Sequence, residues 1–295
     1  MSDSVASRTS ERRRRAREAA LGVAAELGIC AQQAVILEDW NNTIVWLAPA
    51  PIVAKVGTSH FRDAQLKSLE RELAVAAHLV ARGAPVVRPM RGVPPGPHYW
   101  HELTLTLWQY TEPVAGAALA PAEMAAAIKV VHETLTDFEG ELPFFMLELD
   151  EARRLLQPHR SPALEPADRR FLLGVVSELQ AVLAALGMPC RSLHGSPHDA
   201  NWLLSPDGPL LLDFETSCIG PIEWDLAAFG DDALAFFPDA DRDLLFTLRR
   251  MRSVCVAAKC WVTRNEHQRL ARPVTSTSSY FAGSRSTETQ EPRLD

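Results

Sequence analysis

The chain has 295 residues, of which 47% are hydrophobic and 23% are charged, and its formal net charge is −7. This composition is typical of a globular protein with a sizeable core, and it excludes a fibrous or largely disordered chain. The acidic balance argues against nucleic acid as a partner, because such proteins normally carry a basic excess. No apolar run approaches the roughly 20 residues that span a bilayer. No apolar segment follows Arg12 to Arg15 either, so we expect a cytoplasmic protein without a signal peptide or a membrane partner.

The first 110 residues are predicted to be rich in strands, with two helices. β-branched and apolar runs between turn residues favour strands, and apolar residues spaced three and four apart favour helices. The predicted strands are 34–37, 43–47, 52–56, 86–90 and 103–110. The predicted helices are one from a cap at Thr9 or Ser10 to about Leu27, after a loose segment 1–7, and one at 61–82.

Helical patterns dominate after Thr111. A strand-rich insert at 193–213 contains Ser205-Pro206-Asp207-Gly208-Pro209, which predicts a hairpin turn. The segment 272–295 is polar and predicts a disordered tail. The predicted helices are 121–138, 167–187 and 240–263. We therefore divide the chain into an N-terminal arm and helix (1–30), a small lobe (31–110), a large helical lobe (111–271) and the tail (272–295).

The densest polar segment runs from His194 to Asn201, and Asp213-Phe214-Glu215 follows twelve residues later. Protein kinases have a loop H-R-D-x-x-x-x-N, followed by a D-F-G segment whose Asp holds Mg²⁺. His194, position 196 and Asn201 keep that spacing, and the predicted hairpin brings Asn201 beside Asp213. Amide and carboxylate oxygens suit Mg²⁺, so we predict Asn201 and Asp213 as metal ligands.

Lys55 is one of only four lysines, and it lies in an apolar predicted strand. The phosphate-binding lysine of the kinase template lies in such a strand, and a glutamate on the next helix orients it. Glu70 and Glu72 both lie on the predicted helix 61–82, and either one satisfies this pattern.

Three segments together resemble the aminoglycoside phosphotransferase and choline kinase-like family. They are 193–204 (Leu-His-Gly-Ser-Pro-His-Asp-Ala-Asn-Trp-Leu-Leu), 211–215 (Leu-Leu-Asp-Phe-Glu) and 220–227 (Gly-Pro-Ile-Glu-Trp-Asp-Leu-Ala). The resemblance implies an α+β, two-lobed, protein-kinase-like fold with a mainly antiparallel small lobe and a mostly helical large lobe. It also implies ATP- and Mg²⁺-dependent phosphorylation of a hydroxyl on a small molecule, such as an aminoglycoside or an amino alcohol.

The resemblance also implies roles for individual residues. Lys55 would hold the α- and β-phosphates of ATP, and Glu72, which matches the family's Arg-Glu-Leu, would orient it. Asn42, in the turn 41–43, would replace a glycine-rich loop. The backbone around Gln109, in a hinge at 108–111, would bind the adenine edge. Asp225 would brace the catalytic loop.

Ser196 stands where the family has the aspartate that accepts the proton of the substrate hydroxyl. A serine hydroxyl is no general base near pH 7, so three interpretations remain. The base is dispensable, because phosphoryl transfer depends mainly on positioning and charge neutralisation. Asp199 or His198 in the same loop replaces it. Or the protein is a pseudokinase, a nucleotide-binding regulatory or scaffolding module without turnover. Glu215 is either a contact of a second metal or structural.

Overall fold

The computed structural model describes residues 3–40, 42–58, 62–115 and 118–267. Within these residues, five strands near the N-terminus form one antiparallel sheet in the order β1-β2-β3-β5-β4. The strands are β1 (Gln33–Asp39), β2 (Thr43–Ala48), β3 (Ile52–Gly57), β4 (His98–Trp100) and β5 (Leu103–Gln109). Alternate residues of β2 are buried, as expected where one face of a sheet packs on a core.

Helix α1 (Asp3–Glu26) covers one face of this sheet. Its contact surface consists of small residues, which lets the helix approach the strands closely. Gly22 is part of this fit, because a Cβ at this position would lie 2.3 Å from the ring of Trp100 on β4. The buried residues of α1 are Ala16, Ala19, Ala20, Val23 and Ala24.

Helix α2 (Arg62–Ala81) lies on the other side of the sheet. Its apolar residues, including Leu73, Ala76 and Leu79, share a core cluster with the C-terminal half of the chain. Side chains alternate between the faces of a strand, so Lys55 points away from Ala54 and towards α2. This alternation brings the lysine to the space between the two halves of the molecule.

The C-terminal half is mostly helical, with two small pairs of antiparallel strands. Its helices are α3 (Pro121–Thr134), α4 (Leu147–Leu155), α5 (Pro166–Ala184), α6 (Ile222–Leu226), α7 (Asp231–Leu234) and α8 (Arg242–His267). Strand β6 (Arg191–Leu193) pairs with β9 (Cys218–Gly220), and β7 (Trp202–Ser205) forms a hairpin with β8 (Gly208–Leu211). The predicted α+β division into a strand-rich half and a helical half is confirmed.

Several predicted elements were wrong in detail. The first helix begins at Asp3 rather than after a cap at Thr9 or Ser10, because no glycine or proline interrupts residues 3–10. Residues 86–90 are not a strand and form only isolated bridges at Val86 and Pro89. Pro85 and Pro89 lack the N–H groups that a ladder requires.

Other elements were not predicted at all: the short strand β4 and the helices α4, α6 and α7. The predicted tail at 272–295 lies outside the described residues, and the lobe boundaries stay predictions. In the part of the chain that the structure describes, no helix has both the length and the apolar character needed to cross a membrane.

Candidate active site

Lys55 joins three carboxylates that come from distant parts of the chain. Its Nζ donates to both carboxylate oxygens of Glu72 on α2, each at 2.9 Å, and to Asp213 Oδ1 at 2.7 Å. Glu215 Oε2 lies 3.3 Å from the same nitrogen. Of the two glutamates that the sequence left open, Glu72 is therefore the partner of Lys55, whereas Glu70 is exposed.

The electrostatics of this group follow from burial and charge. Burial alone would lower the pKa of Lys55, but Asp213, Glu215 and Glu72 raise it well above its ordinary value. Burial, opposed by Lys55, raises the pKa of Glu72 above its ordinary value. Burial would also raise the pKa of Asp213, but the charge of Lys55 and its hydrogen bond have the larger effect, so the pKa of Asp213 is lowered. Lys55 and Asp213 are therefore charged at neutral pH.

The β7–β8 hairpin brings the two predicted metal ligands to one place. Leu212 N donates to Asn201 O at 3.0 Å. This bond holds Asn201, just before the hairpin, beside Leu212, the residue that precedes Asp213. Asn201 is buried, and its Nδ2 donates to Ser196 O at 2.8 Å, which leaves Oδ1 as its acceptor atom. Asp213 has a left-handed backbone with φ of 69°, a strained conformation that is common at functional sites.

Asp225, from α6, holds the loop that contains Ser196. Its carboxylate accepts the backbone N–H groups of His194 at 3.0 Å and Gly195 at 2.7 Å, and His132 Nε2 lies 2.8 Å away. Burial would raise its pKa, but the hydrogen bond with His132 outweighs this and lowers it. The residue therefore braces this loop, as the resemblance implied.

Gly195 and His194 fix the shape of the same loop. Gly195 has φ of +93°, and a Cβ there would lie 2.0 Å from Thr216 O, so only glycine fits. His194 Nδ1 accepts from Ser196 N at 3.1 Å while its Nε2 lies 3.0 Å from Leu212 O. These contacts require a neutral imidazole with the proton on Nε2, and burial lowers the pKa of His194 accordingly. The histidine is therefore a structural part of the loop.

Ser196 is partly buried and receives a hydrogen bond from a residue that the sequence did not single out. Arg252, on α8, donates from Nη1 to Ser196 Oγ at 3.2 Å and from Nη2 to Gly195 O at 3.1 Å. It also donates to Trp224 O at 2.8 Å and stacks on the Trp224 ring. Nothing in the sequence indicated that Arg252 contacts Ser196, because it is one of 26 arginines and lies far from Ser196 in the chain.

The other loop candidates lie further out. Asp199 and His198 are both exposed, in and before the short turn Asp199–Asn201. A cavity of about 140 Å³ borders Ser196, Glu215 and Arg252, and Asp199 is not among its lining residues. The structure thus brings Ser196, but not Asp199, to the wall of this cavity.

The two remaining predicted nucleotide contacts also lie near the interface of the halves. Asn42 is half-buried between β1 and β2, and its Nδ2 donates to Glu215 Oε2 at 3.2 Å. Asn41, the other asparagine of that turn, lies outside the described residues. Gln109 ends β5, where the N–H groups of Gln109 and Tyr110 donate to Arg88 O and Pro51 O. A nucleobase would have to displace these bonds to use either N–H group.

The donor set fits Mg²⁺. Among the described residues, carboxylate oxygens of Glu72, Asp213 and Glu215 lie within 4.8 Å of one another. Both oxygens of Glu72 accept from Lys55, so Asp213 and Glu215 are the carboxylates that could bind a metal. Asn201 and Asp213 flank the β7–β8 hairpin on its two sides. All of these are hard oxygen ligands, the type that Mg²⁺ takes together with water and phosphate oxygens.

Solved structures share this fold. An amicoumacin kinase in complex with AMP-PNP and Ca²⁺ is 14% identical, with a TM-score of 0.64, and the match covers 90% of this chain and 91% of that one. A choline kinase from Streptococcus pneumoniae is 16% identical, with a TM-score of 0.60 and coverage of 84% and 92%. An aminoglycoside phosphotransferase from Streptomyces rimosus is 17% identical, with a TM-score of 0.56 and coverage of 81% and 96%. The fold is therefore that of the two-lobed, kinase-like transferases.

The family follows from the sequence itself. The model of the phosphotransferase enzyme family matches residues 10–253, which is most of the chain. The chain belongs to this family, and the resemblance found in the sequence is confirmed. No curated protein matches it. Family and fold together identify a small-molecule phosphotransferase of the kinase-like class.

Proposed function

We propose that this protein transfers the γ-phosphoryl group of ATP, with Mg²⁺, to a hydroxyl of a small molecule. The observation that carries the proposal is the position of Lys55, whose Nζ lies within 3.3 Å of carboxylates from α2 and from the segment after β8. In the phosphoryl-transfer template, a lysine, its helix glutamate and a metal-binding aspartate form this group. ATP as the donor agrees with the cytoplasmic location expected from the sequence.

In this proposal Lys55 binds the α- and β-phosphates and Glu72 keeps its ammonium in place. Asn42 contributes a polar group from the β1–β2 turn, in place of a glycine-rich loop. The hinge around Gln109 meets the adenine edge through backbone groups other than the N–H groups of Gln109 and Tyr110, which are already bonded. The ion pair of Lys55 with Glu72 is buried, so its geometry is set before the nucleotide arrives, and this preorganisation favours binding.

Asn201 and Asp213 would hold Mg²⁺, and Glu215 lies close enough to assist. The metal would supply positive charge against the phosphate oxygens, and the chain's part is to hold its own oxygen ligands at fixed positions. The left-handed backbone of Asp213 and the bond from Asn201 Nδ2 to Ser196 O serve that purpose.

Proton transfer is the step in which this chain departs from its family. Ser196 Oγ accepts from the cationic Arg252, so it has no tendency to take a proton at neutral pH. We propose that Ser196 positions the acceptor hydroxyl and that the reaction proceeds without a dedicated base: the hydroxyl oxygen forms the new bond to phosphorus, ADP leaves, and the hydroxyl proton passes to a phosphate oxygen or to water. The cost is of the order of the 10²–10⁴-fold that general-base catalysis typically contributes, so turnover is slow rather than absent. Asp199 is the less suitable substitute, because it is exposed and does not line the cavity.

A nucleotide-binding pseudokinase is the second candidate function. The observation in its favour is the same pair, Ser196 with Arg252, which puts a positive charge where the family has a negative one. The two candidates share the nucleotide site and differ only in turnover.

The nucleotide site is tested by calorimetric titration of ATP with and without Mg²⁺. We expect Mg²⁺-dependent binding by the wild type and its loss in Asp213→Asn. The matched control is Asp207→Asn, which changes an exposed carboxylate in the turn of the same hairpin and should bind like the wild type. A folded wild type that binds no nucleotide refutes both candidate functions.

Turnover is tested with Ser196→Asp and its uncharged counterpart Ser196→Asn. On an acceptor that the wild type phosphorylates slowly, the Asp variant should raise kcat and the Asn variant should not. If wild type and Asp variant are both silent across a broad panel of acceptors while nucleotide still binds, the pseudokinase is the correct function.

A further inference from the structure

The cavity beside Ser196 has an unusual set of charges. Three cationic side chains line it: Arg71, Arg252 and Lys259. Two carboxylates line it as well, Glu148 and Glu215. Whether the cavity suits a cationic or an anionic molecule depends on which of these charges already have partners.

Both carboxylates are engaged. Glu148 Oε2 accepts from Lys259 Nζ at 2.8 Å, and these two residues neutralise each other. Glu215 Oε2 lies 3.3 Å from Lys55 Nζ and accepts from Asn42 Nδ2 at 3.2 Å. Each carboxylate at the cavity wall therefore already has a polar partner, although Glu215 shares Lys55 with Glu72 and Asp213.

The two guanidinium groups are bound only to neutral oxygens. Arg71 donates from Nη2 to the carbonyl oxygen of Glu215, and Arg252 donates to two carbonyl oxygens and to Ser196 Oγ. Among the described residues neither forms an ion pair with a carboxylate, and the Nε of each is buried without a partner. Burial lowers the pKa of both side chains.

The acids nearest to Arg252 make no hydrogen bond to it. Asp225 accepts from two backbone N–H groups and lies against His132, and its negative charge raises the pKa of Arg252 against the effect of burial. Glu148 pairs with Lys259. The lining of the cavity therefore carries three cations against two carboxylates, and an anion would give the guanidinium groups of Arg71 and Arg252 a direct partner.

The mouth of the cavity is apolar. Phe144, Leu147 and Val256 line it and are exposed by 43%, 53% and 52% respectively. Behind them the rings of Phe145 and Trp224 form the buried wall. Exposed apolar side chains at the rim of a cavity that ends in polar groups are typical of a site for small molecules.

We infer that the acceptor of this phosphotransferase is an anionic small molecule, whose carboxylate is bound by Arg71 and Arg252 and whose apolar body packs on Phe144, Leu147 and Val256. This inference rests on the proposed function, because it takes the cavity beside Ser196 as the acceptor site. A hydrogen bond from a guanidinium to a carboxylate is charge-assisted and is stronger than one between neutral groups. An aminoglycoside or amino alcohol, which the family resemblance suggested, would instead meet two carboxylates that already have partners and two guanidinium groups that repel its own charge.

The test uses three probes that share a hydroxymethylphenyl body and carry a negative, a neutral and a positive second group: 3-(hydroxymethyl)benzoate, 3-(hydroxymethyl)benzamide and 3-(hydroxymethyl)benzylamine. Their affinities are measured by calorimetry, with and without Mg²⁺ and AMP-PNP. We expect the benzoate to bind at least about tenfold more tightly than the amide and the amine, since hydrogen bonds to a charged group contribute this much or more. The preference should remain when the nucleotide analogue is bound.

Arg71→Gln and Arg252→Gln should each weaken benzoate binding about tenfold or more and leave the amide affinity nearly unchanged. Arg250→Gln is the matched control, because Arg250 lies on the same helix as Arg252 but pairs with the exposed Glu178. Circular dichroism checks folding. Should Arg252→Gln fail to fold, because Arg252 also holds the catalytic loop, Arg71→Gln alone decides.

A benzoate preference below threefold, including no binding of any probe, overturns the inference, as does tighter binding of the amine. Loss of the benzoate site on addition of AMP-PNP also overturns it, because the two arginines would then belong to the nucleotide phosphates. The proposed function fails separately. It is refuted if Mg²⁺ and ATP do not bind, whatever the probes do.

Discussion

Asp225→Asn tests how the loop that contains Ser196 is held in place. The replacement keeps the size of the side chain but removes its charge, and it turns one of two acceptor oxygens into an NH₂ group. In the wild type both oxygens accept: Oδ1 from Gly195 N at 2.7 Å, and Oδ2 from His194 N at 3.0 Å and His132 Nε2 at 2.8 Å. Either orientation of the amide therefore places N–H against N–H, with no water to relieve it, because the side chain is fully buried.

The expected loss in the free energy of unfolding follows from the burial of Asp225. Removing one partner of a buried charged interaction typically costs about 3–5 kcal/mol, because the remaining donors stay buried and unpaired. Since a domain is stabilised by only about 5–15 kcal/mol in total, the variant should be folded but close to its limit at 25 °C. The free energy of unfolding is measured from urea denaturation, followed by tryptophan fluorescence.

Asp231→Asn is the matched control for Asp225→Asn. Asp231 pairs with Arg249, but its side chain is 85% exposed, so its replacement should cost no more than about 1 kcal/mol. If Asp225→Asn lowers the free energy of unfolding by less than 1 kcal/mol, the loop is not held by this carboxylate. The loop around Ser196 would then not be preorganised by Asp225.

Two further predictions concern the same loop. Gly195→Ala should destabilise the protein by at least about 2 kcal/mol, through the strain of a positive φ and the approach to Thr216 O. Position 208 also has a positive φ, but a Cβ there meets no atom within 4 Å, so in parallel urea titrations Gly208→Ala should lower the free energy of unfolding by clearly less. The second prediction concerns His194, whose pKa is lowered in the folded protein. Below about pH 6.5 the unfolded chain therefore binds a proton there that the folded protein does not, and the free energy of unfolding falls as the pH falls. His194→Asn should flatten this dependence by no more than about 1.4 kcal/mol per pH unit, and an unchanged slope between pH 7 and pH 5 would contradict the neutral imidazole.

The parts of the site that could be predicted from the sequence are those with a fixed spacing. Asn201 and Asp213 are joined by a hairpin whose turn residues are visible in the sequence, so their proximity follows from local structure. Lys55 was conspicuous because lysine is rare in this chain and the strand around it is apolar. Its pairing with Glu72 rather than Glu70 could be decided only from the way α2 packs on the sheet in the structure.

Contacts between distant residues of common types could not be predicted. Arg252 lies 56 residues after Ser196, on a helix whose pattern indicates only that it packs on a core. Arg71 is one more arginine on an amphipathic helix. Only the three-dimensional arrangement shows that both line the cavity. The elements that were missed have the same cause, since β4 and α6 are three and five residues long and owe their structure to their neighbours.

The serine at position 196 and the arginine at position 252 are best understood as one feature. With an aspartate at 196, the carboxylate would lie beside Arg252 and would compensate its charge. With a serine, the same position loses its base and the guanidinium keeps its charge for a ligand. Under the proposed function, Ser196→Asp would therefore have two opposed effects: it would supply a base, and it would compete with the carboxylate of the inferred acceptor for Arg252. If the serine meant only the loss of a base, Ser196→Asp would raise kcat and leave KM for the acceptor unchanged. A rise in both kcat and KM would instead show that the residue at position 196 also influences which acceptor binds.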